Sequence, residues 1–133
     1  MKKVVLLLFL FISSCNQQPI PAQTLDIRLS EHFTQSEFTC KCGCGETKVN
    51  MQLIIKLEEL RERLKVPIII TSGYRCEKHN REVGGVKHSQ HLYGNAVDIK
   101  VKGYTPEQVA KIVKEVGFSF VRIYKSWVHV DVR

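Results

Sequence analysis

The sequence predicts an α+β domain, with a small, mostly antiparallel sheet and helices packed on one face. Three observations support this prediction: a helix-period segment precedes a β-branched run, a second helix with a strong start signal follows an alternating run, and two more alternating runs close the chain. The expected order of helix, strand, strand, helix, strand, strand is typical of the α+β class.

The first helix is predicted over residues 49–64 (VNMQLIIKLEELRERL), where apolar residues recur at helical spacing between charged ones. Asn50 is a candidate N-cap. Residues 67–71 (PIIIT) form a short β-branched run, which is typical of a buried strand. Residues 76–83 are polar, and we expect a short helix or loop there that ends at a pair of glycines.

The second half of the chain is predicted to supply the rest of the sheet and one more helix. Residues 96–101 (AVDIKV) alternate and indicate a strand. Thr105 and Pro106 form a strong helix start, and Gly117 is expected to end that helix. The remaining residues contain two alternating runs, predicted to pair as a hairpin that turns at Lys125-Ser126.

Length and composition indicate one globular domain. The chain has 133 residues, with 44% hydrophobic and 25% charged, so disordered, collagen-like and repeat classes are not expected. Without Lys2 and Lys3, 18 of the 20 Lys and Arg residues remain against 13 Asp and Glu. This modest positive charge suits an anionic partner. Nucleic acid is not the expected one, because no run of basic residues is interleaved with aromatics.

Residues 1–15 are predicted to be a lipoprotein signal peptide. A basic start precedes nine apolar residues (VVLLLFLFI), too few to cross a bilayer, which takes about 20. Ile-Ser-Ser-Cys15 resembles a bacterial lipobox, so we expect Cys15 to be acylated; the alternative is a plain signal peptide. Residues 16–28 are predicted to be a tether and 29–133 the domain. The protein is therefore expected to be exported and anchored to a membrane, facing the cell wall or periplasm.

Four further cysteines are candidates for disulfides, because an exported chain meets an oxidising compartment. The first three are crowded at two-residue spacing, so bridges among them would be strained, and we expect at least one bridge from this group to the fourth. The alternative is a structural zinc site, although such sites usually space their ligands as two close pairs. These residues are Cys40, Cys42, Cys44 and Cys76.

His91, Asp98 and His129 form a candidate metal site. His91 and Asp98 can converge if the chain turns at Gly94, and His129 lies on the predicted last strand. Two histidines and a carboxylate are a suitable set for catalytic zinc, which uses three protein ligands and leaves a fourth position for water. Spacing by itself is a weak signal, because the chain has five histidines and 13 acids, and surface or capping histidines are the alternative.

Several short motifs together resemble the M15 family of zinc peptidases, most closely its subfamily A, the D-alanyl-D-alanine carboxypeptidase-like branch. The resemblance covers roughly residues 29–133, and its fold is shared with hedgehog signalling domains. The motifs are HFTQSEFTCKCGCG (32–45), Ser72-Gly73-Tyr74-Arg75, Asn80, Gly84-Gly85, Ser89-x-His91-x-x-Gly94-x-Ala96-x-Asp98 and His129-x-Asp131.

The resemblance implies one zinc ion per chain, bound by His91, Asp98 and His129. It implies peptidase activity on the D-amino-acid-containing stem peptides of peptidoglycan, as a murein endopeptidase or a D-Ala-D-Ala carboxypeptidase. It also implies that Arg75 faces the substrate, where an arginine can pair with a carboxylate or steady an oxyanion. The alternative for Arg75 is a structural salt bridge.

One position departs from the family pattern. Many members carry an acid three residues before the last zinc histidine, where it serves as general base, and this chain has Ser126 there. Asp131 is the nearest acid on the last strand, and residues two apart on a strand share a face. We therefore expect Asp131 either to act as the base or to orient a ligand.

Two other functions remain open. The first is a non-catalytic, zinc-stabilised cell-wall binding module, and it differs from the peptidase by lacking a usable base near the metal. The second is a secreted or phage lytic enzyme, and the lipobox disfavours one that diffuses freely.

Overall fold

A computed structural model of the chain describes residues 25–133. The predictions for the signal peptide, Cys15 and most of the tether lie outside these residues. Within 25–133, no helix is both long enough and apolar enough to span a bilayer. The elements are α1 (Gln35–Phe38), α2 (Met51–Leu64), β1 (Ile68–Ser72), α3 (Glu77–Glu82), a 3-10 helix (Gln90–Tyr93), β2 (Ala96–Val101), α4 (Pro106–Val116), β3 (Phe120–Ile123) and β4 (Val128–Asp131).

The two long helices begin and end where the sequence predicts. The Asn50 side chain accepts a hydrogen bond from the Gln52 N–H at 2.9 Å and caps α2. Thr105 and Gln108 form a capping box at the start of α4. Gly117 ends α4 with a left-handed backbone, φ 83°.

The four strands form one antiparallel sheet in the order β1-β2-β4-β3, which confirms the predicted α+β class. The predicted C-terminal hairpin is β3 and β4, closed by a hydrogen bond from the Tyr124 N–H to the Trp127 carbonyl at 2.9 Å. The register of β1 against β2 shifts between Ile70 and Ser72, at the end of β1 that leads to Arg75.

The sheet has one apolar face and one polar face, because side chains alternate along each strand. On β2, Val97 and Ile99 are buried in the core with Val128 and Val130 of β4. This core also contains the buried faces of α2 and α4. The intervening residues of β2 and β4, among them Asp98, therefore point to the opposite face.

Two short helices were not predicted, α1 and the 3-10 helix. Each has four residues, too few for a helical period to be visible in the sequence. The 3-10 helix lies on the polar face, because its His91 contacts Asp98 and His129 there. The prediction that helices pack on one face therefore holds for α2 and α4 and is corrected for the 3-10 helix.

Candidate metal centre

The three predicted ligands meet on the polar face of the sheet. Asp98 on β2 and His129 on β4 are direct cross-strand neighbours. His91 comes from the 3-10 helix and is 2% exposed. The topology thus brings together two side chains from adjacent strands and a third from the helix that lies over them.

The three ligand atoms form a nearly equilateral triangle. Asp98 Oδ1 lies 3.0 Å from His129 Nδ1 and 3.3 Å from His91 Nε2, and the two nitrogens are 3.2 Å apart. A tetrahedral zinc ion about 2.0–2.1 Å from each ligand would separate them by about 3.3 Å. The spacing therefore fits a zinc ion seated above the triangle.

In each histidine, one ring nitrogen makes a hydrogen bond outside the triangle, and this bond determines that the other nitrogen presents its lone pair to the triangle. His91 Nδ1 lies 2.7 Å from the Gly73 carbonyl oxygen, which only accepts, so Nδ1 carries the proton and Nε2 presents a lone pair. His129 Nε2 lies 3.3 Å from Asp131 Oδ2 and donates to it, so Nδ1 presents a lone pair too. Two lone pairs and the Asp98 carboxylate converge, and a cation satisfies all three.

The Asp98 carboxyl group is held in its charged form. Burial raises the pKa of Asp98, but hydrogen bonds and charge from His129 and His91, when these rings are protonated instead of binding a metal, outweigh it and hold the pKa of Asp98 well below its usual range. Arg75 adds an ion pair, with Nη2 2.8 Å from Asp98 Oδ2. One oxygen of Asp98 thus faces the histidines and the other is held by Arg75.

Arg75 is positioned between the metal ligands and an open groove. Besides Asp98, its Nε donates to the Ser72 Oγ at 3.1 Å. Its backbone N–H donates to the His91 carbonyl at 3.1 Å, which ties the end of β1 to the 3-10 helix. The side chain is 15% exposed and lines the groove beside the ligands. The two predicted roles of Arg75, salt bridge and substrate contact, are compatible in this position.

Asp131 shares the face of His129, as expected for residues two apart on a strand. Its side chain is fully buried and forms an ion pair with Arg133, whose Nη2 lies 2.6 Å from Oδ2. Burial raises the pKa of Asp131, but the Arg133 guanidinium outweighs it and lowers the pKa below the usual range. Asp131 contacts the nitrogen of His129 that faces away from the triangle, a geometry that favours the orienting role.

The Ser-x-His-x-x-Gly-x-Ala-x-Asp segment has a physical explanation at each position. Ser89 caps the 3-10 helix, since its Oγ accepts from the His91 N–H at 3.4 Å. Gly94 ends that helix with φ 72°, and a Cβ there would lie 2.4 Å from the Lys48 carbonyl oxygen. Ala96 is buried at the start of β2, two residues before Asp98.

A groove of about 600 Å³ opens beside the ligands. Phe120 lies at its edge with its ring 6.0 Å from that of His129 in an edge-to-face arrangement. Among residues 25–133, Asp98 is the one acid that lines this groove, and Ser126 does not line it. The basic residues that line it are Arg75, Arg122 and Arg133.

Sequence reasoning missed two groups that shape the site. The Gly73 carbonyl orients His91 through a backbone atom, which leaves no side-chain signal. Gly73 itself packs against the backbone of Phe38, and a Cβ added to Gly73 would lie 2.6 Å from the Cα atom of Phe38. Phe120 carries an aromatic signal, but the hairpin prediction could not say which strand residues would face His129.

The four cysteines lie close together, without the expected bridge to Cys76. All four thiols are free, and their sulfurs lie within 4.8 Å of one another. The distance is 3.4 Å from Cys40 Sγ to Cys42 Sγ and 3.7 Å from Cys42 Sγ to Cys76 Sγ, against about 2.05 Å for a disulfide. The four cysteines therefore form a four-thiol cluster in the structure, and the disulfide to Cys76 stays a prediction.

The chain is similar to known proteins in sequence and in structure. A family model described as Peptidase M15 matches residues 31–131. Among solved structures, the chain is similar to the crystal structure of Serratia marcescens L-Ala D-Glu endopeptidase ChiX, with 22% identity and a TM-score of 0.49. That similarity covers 64% of this chain and 80% of that one. No curated protein matches the chain.

Proposed function

The chain belongs to the peptidase M15 family, and from this premise we propose that it is a zinc-dependent peptidase of peptidoglycan. Its substrates are D-amino-acid-containing bonds of the stem peptides, cut as a murein endopeptidase or a D-Ala-D-Ala carboxypeptidase. The observation that carries the proposal is the triangle of His91, Asp98 and His129, because its spacing and its two lone pairs suit zinc beside an open groove.

A bound zinc ion supplies Lewis acidity, which polarises a carbonyl and lowers the pKa of water to about 7. The chain's own residues prepare the site for it. The Gly73 carbonyl and the Asp131 carboxylate fix the tautomers of His91 and His129, so both rings present lone pairs without reorganisation. Arg75 forms an ion pair with Asp98, Nη2 to Oδ2 at 2.8 Å, and so fixes the position of this carboxylate.

We assign Asp131 a positioning role through His129. Its carboxylate accepts from His129 Nε2 on the side away from the triangle and is also bound by Arg133. Such a carboxylate orients the ring and raises the basicity of the ligand nitrogen. Transfer of a proton to the leaving amine then falls to a groove residue or to water.

The groove suits a peptide that carries carboxylates. Arg75, Arg122 and Arg133 line it, against Asp98, whose charge is taken up by Arg75 and the ligand histidines. Stem peptides carry carboxylate groups that an arginine can bind through two hydrogen bonds. We propose that Arg75 contacts the substrate from its place at the groove wall while it holds Asp98.

The proposed location follows from residues 1–15 alone. The short apolar run and Ile-Ser-Ser-Cys15 support export and a lipid anchor at Cys15. A membrane-held peptidase would act on cell wall within reach of the tether, residues 16–28.

A second candidate is a non-catalytic cell-wall binding module. It is favoured by one observation: within residues 25–133, Asp98 is the one acid that lines the groove, and it is occupied as a ligand. This module would bind peptidoglycan and leave it uncut.

The two candidates separate in one experiment. Purified peptidoglycan is incubated with the full chain and zinc, and the released fragments are analysed by mass spectrometry. New fragments whose masses correspond to hydrolysis, with the addition of one water at a defined stem-peptide bond, support the peptidase and identify the bond. Binding to sedimented peptidoglycan with no fragment after long incubation would overturn the peptidase and support the module.

A further inference from the structure

The four-thiol cluster lies outside the triangle of His91, Asp98 and His129, and the proposed reaction does not use it. Three of its cysteines lie in the loop before α2, and Cys76 caps the N-terminus of α3. The loop reaches this arrangement because Gly43 and Gly45, which alternate with the cysteines, adopt left-handed backbones with φ 84° and 76°. The backbone is therefore shaped to point several sulfurs at one place.

The sulfur positions suit a tetrahedral metal. A zinc ion about 2.3 Å from each of four thiolates separates the sulfurs by about 3.8 Å. The distances of 3.4 Å and 3.7 Å, and the 4.8 Å limit for the whole group, lie close to that value. We propose that a second, structural zinc ion is bound here by the thiolates of Cys40, Cys42, Cys44 and Cys76.

Backbone donors surround the sulfurs as a thiolate site requires. The Cys76 N–H lies 3.4 Å from Cys40 Sγ, and the His79 N–H lies 3.4 Å from Cys76 Sγ. Hydrogen bonds to anionic acceptors stabilise the charged form. Cys40 and Cys76 are buried, so these donors stand where water cannot solvate a thiolate.

The surrounding charge also suits an anionic centre. Four thiolates and one zinc ion carry a net charge of −2. The cavity beside the cluster is lined by four basic residues against two acidic ones, Glu46 and Glu77, so the surroundings are net positive. The basic residues are Lys48, Lys78, Arg81 and Lys87.

The cluster would hold a segment that the peptidase site uses. Cys76 directly follows Arg75, which contacts Asp98. A metal that joins Cys76 to the Cys40 loop fixes the end of β1 from outside the groove. The four-thiolate ion therefore acts as a clamp on the position of Arg75, apart from the three-ligand centre.

The test measures zinc in the full chain carrying Cys15→Ser, so that the cluster supplies every thiol. The protein is purified with reductant and without chelator. We expect two zinc ions per chain, falling to one in His91→Ala and to one in the double variant Cys40→Ser/Cys76→Ser. Retention of both ions by the double variant would overturn the proposal.

Cobalt substitution keeps the proposal testable if the double variant does not fold. The cobalt-loaded Cys15→Ser chain and its His91→Ala form should both show sulfur-to-cobalt charge-transfer absorption, because the thiolates are intact in each. Absence of this absorption from the folded protein would refute the site. Mass spectrometry of protein taken unreduced from cells gives a third result: a disulfide within the cluster, with no zinc there, would also refute it.

Discussion

Asp98 Oδ1 and His129 Nδ1 lie 3.0 Å apart across the β2–β4 pair, at positions that the register places directly opposite each other. The backbone pairing of the sheet fixes the distance between cross-strand neighbours on one face. This part of the site is therefore as rigid as the core behind it. His91 completes the triangle from a separate element, and the Gly73 carbonyl holds its ring.

Removal of one ligand should abolish the three-ligand metal site. His91→Ala is expected to lose the zinc bound there and to cut turnover on peptidoglycan by about 10³-fold or more, because Lewis-acid stabilisation is worth several kcal/mol. His32→Ala is the matched control, since His32 pairs with Glu58 and does not line the groove. Zinc analysis and fragment release are measured on both. Full activity in His91→Ala would contradict the site assignment.

Asp131→Asn tests whether Asp131 positions His129 or takes a proton. Loss of the carboxylate charge should weaken zinc binding at the three-ligand site about 10- to 100-fold. If Asp131 is a positioning residue, turnover falls at limiting zinc and recovers when zinc is saturating. Competition with a chelating dye gives the affinity, and fragment release gives the turnover.

The contrary result for Asp131 is equally clear. A loss of about 10²-fold that persists at saturating zinc would identify Asp131 as the base. Arg133→Gln serves as the control, because it removes the ion pair to Asp131 and leaves the contact with His129.

Gly94→Ala should lower the free energy of unfolding by more than the strain of a left-handed backbone alone would. Gly103→Ala is the matched control, because Gly103 has φ 86° and open space around its Cα, so it should cost only the left-handed strain, about 1–2 kcal/mol. At Gly94 a Cβ also meets the Lys48 carbonyl at 2.4 Å, and about 1–3 kcal/mol more should be lost. Urea denaturation measures both. Equal losses would show that the Lys48 contact relaxes freely.

Glu58→Gln should lower stability in a pH-dependent way. Glu58 accepts a hydrogen bond from the backbone N–H of His32 at 2.8 Å. Burial raises the pKa of Glu58, but hydrogen bonds from Ser30 and His32 and the charge of His32 outweigh it and lower the pKa below its usual value. Its contribution is therefore present above the unfolded pKa and is lost as pH falls through the lower folded pKa. We expect about 1–2 kcal/mol at pH 7, shrinking towards pH 3.

The control for Glu58 lies on the same helix. Glu62 pairs with Lys65 at 3.5 Å on the exposed surface, so Glu62→Gln should change stability by less than about 0.5 kcal/mol at either pH. A Glu58→Gln effect that stays constant from pH 7 to pH 3 would show that the charge does not contribute.

Cys15→Ser tests the lipid anchor. In cells, the wild-type chain is expected to fractionate with membranes and to incorporate labelled fatty acid, because several acyl chains hold a protein firmly where one binds marginally. The Cys15→Ser chain should take up no label. His32→Ala is the control variant, because His32 lies outside residues 1–15 and outside both proposed metal sites, and it should label normally. Absence of acyl label from the wild type would exclude the anchor.

The sequence predicts the fold well in those segments where the local sequence signals are strong. The helices α2 and α4 are 14 and 11 residues long, which is enough for apolar residues to recur visibly at helical spacing. They also have caps at Asn50 and Thr105, so their bounds were predicted closely. The helix α1 and the 3-10 helix have four residues each and carry no period. Their side chains Phe38 and His91 are placed by packing against the sheet, which no local pattern records.

The sequence by itself determined which residues are candidate ligands, and the tertiary structure decided which atoms those side chains contact. Residue types and motif spacing, together with the resemblance to the M15 family, selected His91, Asp98 and His129 as a ligand set. Which nitrogen of each histidine faces Asp98 depends on the Gly73 carbonyl and on Asp131, and a tautomer is set by contacts that only the folded chain makes.

The cysteines show the same division. Sequence reasoning predicted at least one bridge from the group of Cys40, Cys42 and Cys44 to Cys76, and in the structure all four sulfurs lie close together. A disulfide was favoured because export leads to an oxidising compartment and because the cysteine spacing differs from that of usual zinc sites. Distances between the sulfurs cannot be derived from spacing in the sequence. The fold places all four within 4.8 Å with none at bonding distance, since the left-handed glycines and the start of α3 fix each backbone separately. A choice between covalent bridge and metal depends on such distances, which are decided only when distant segments pack together.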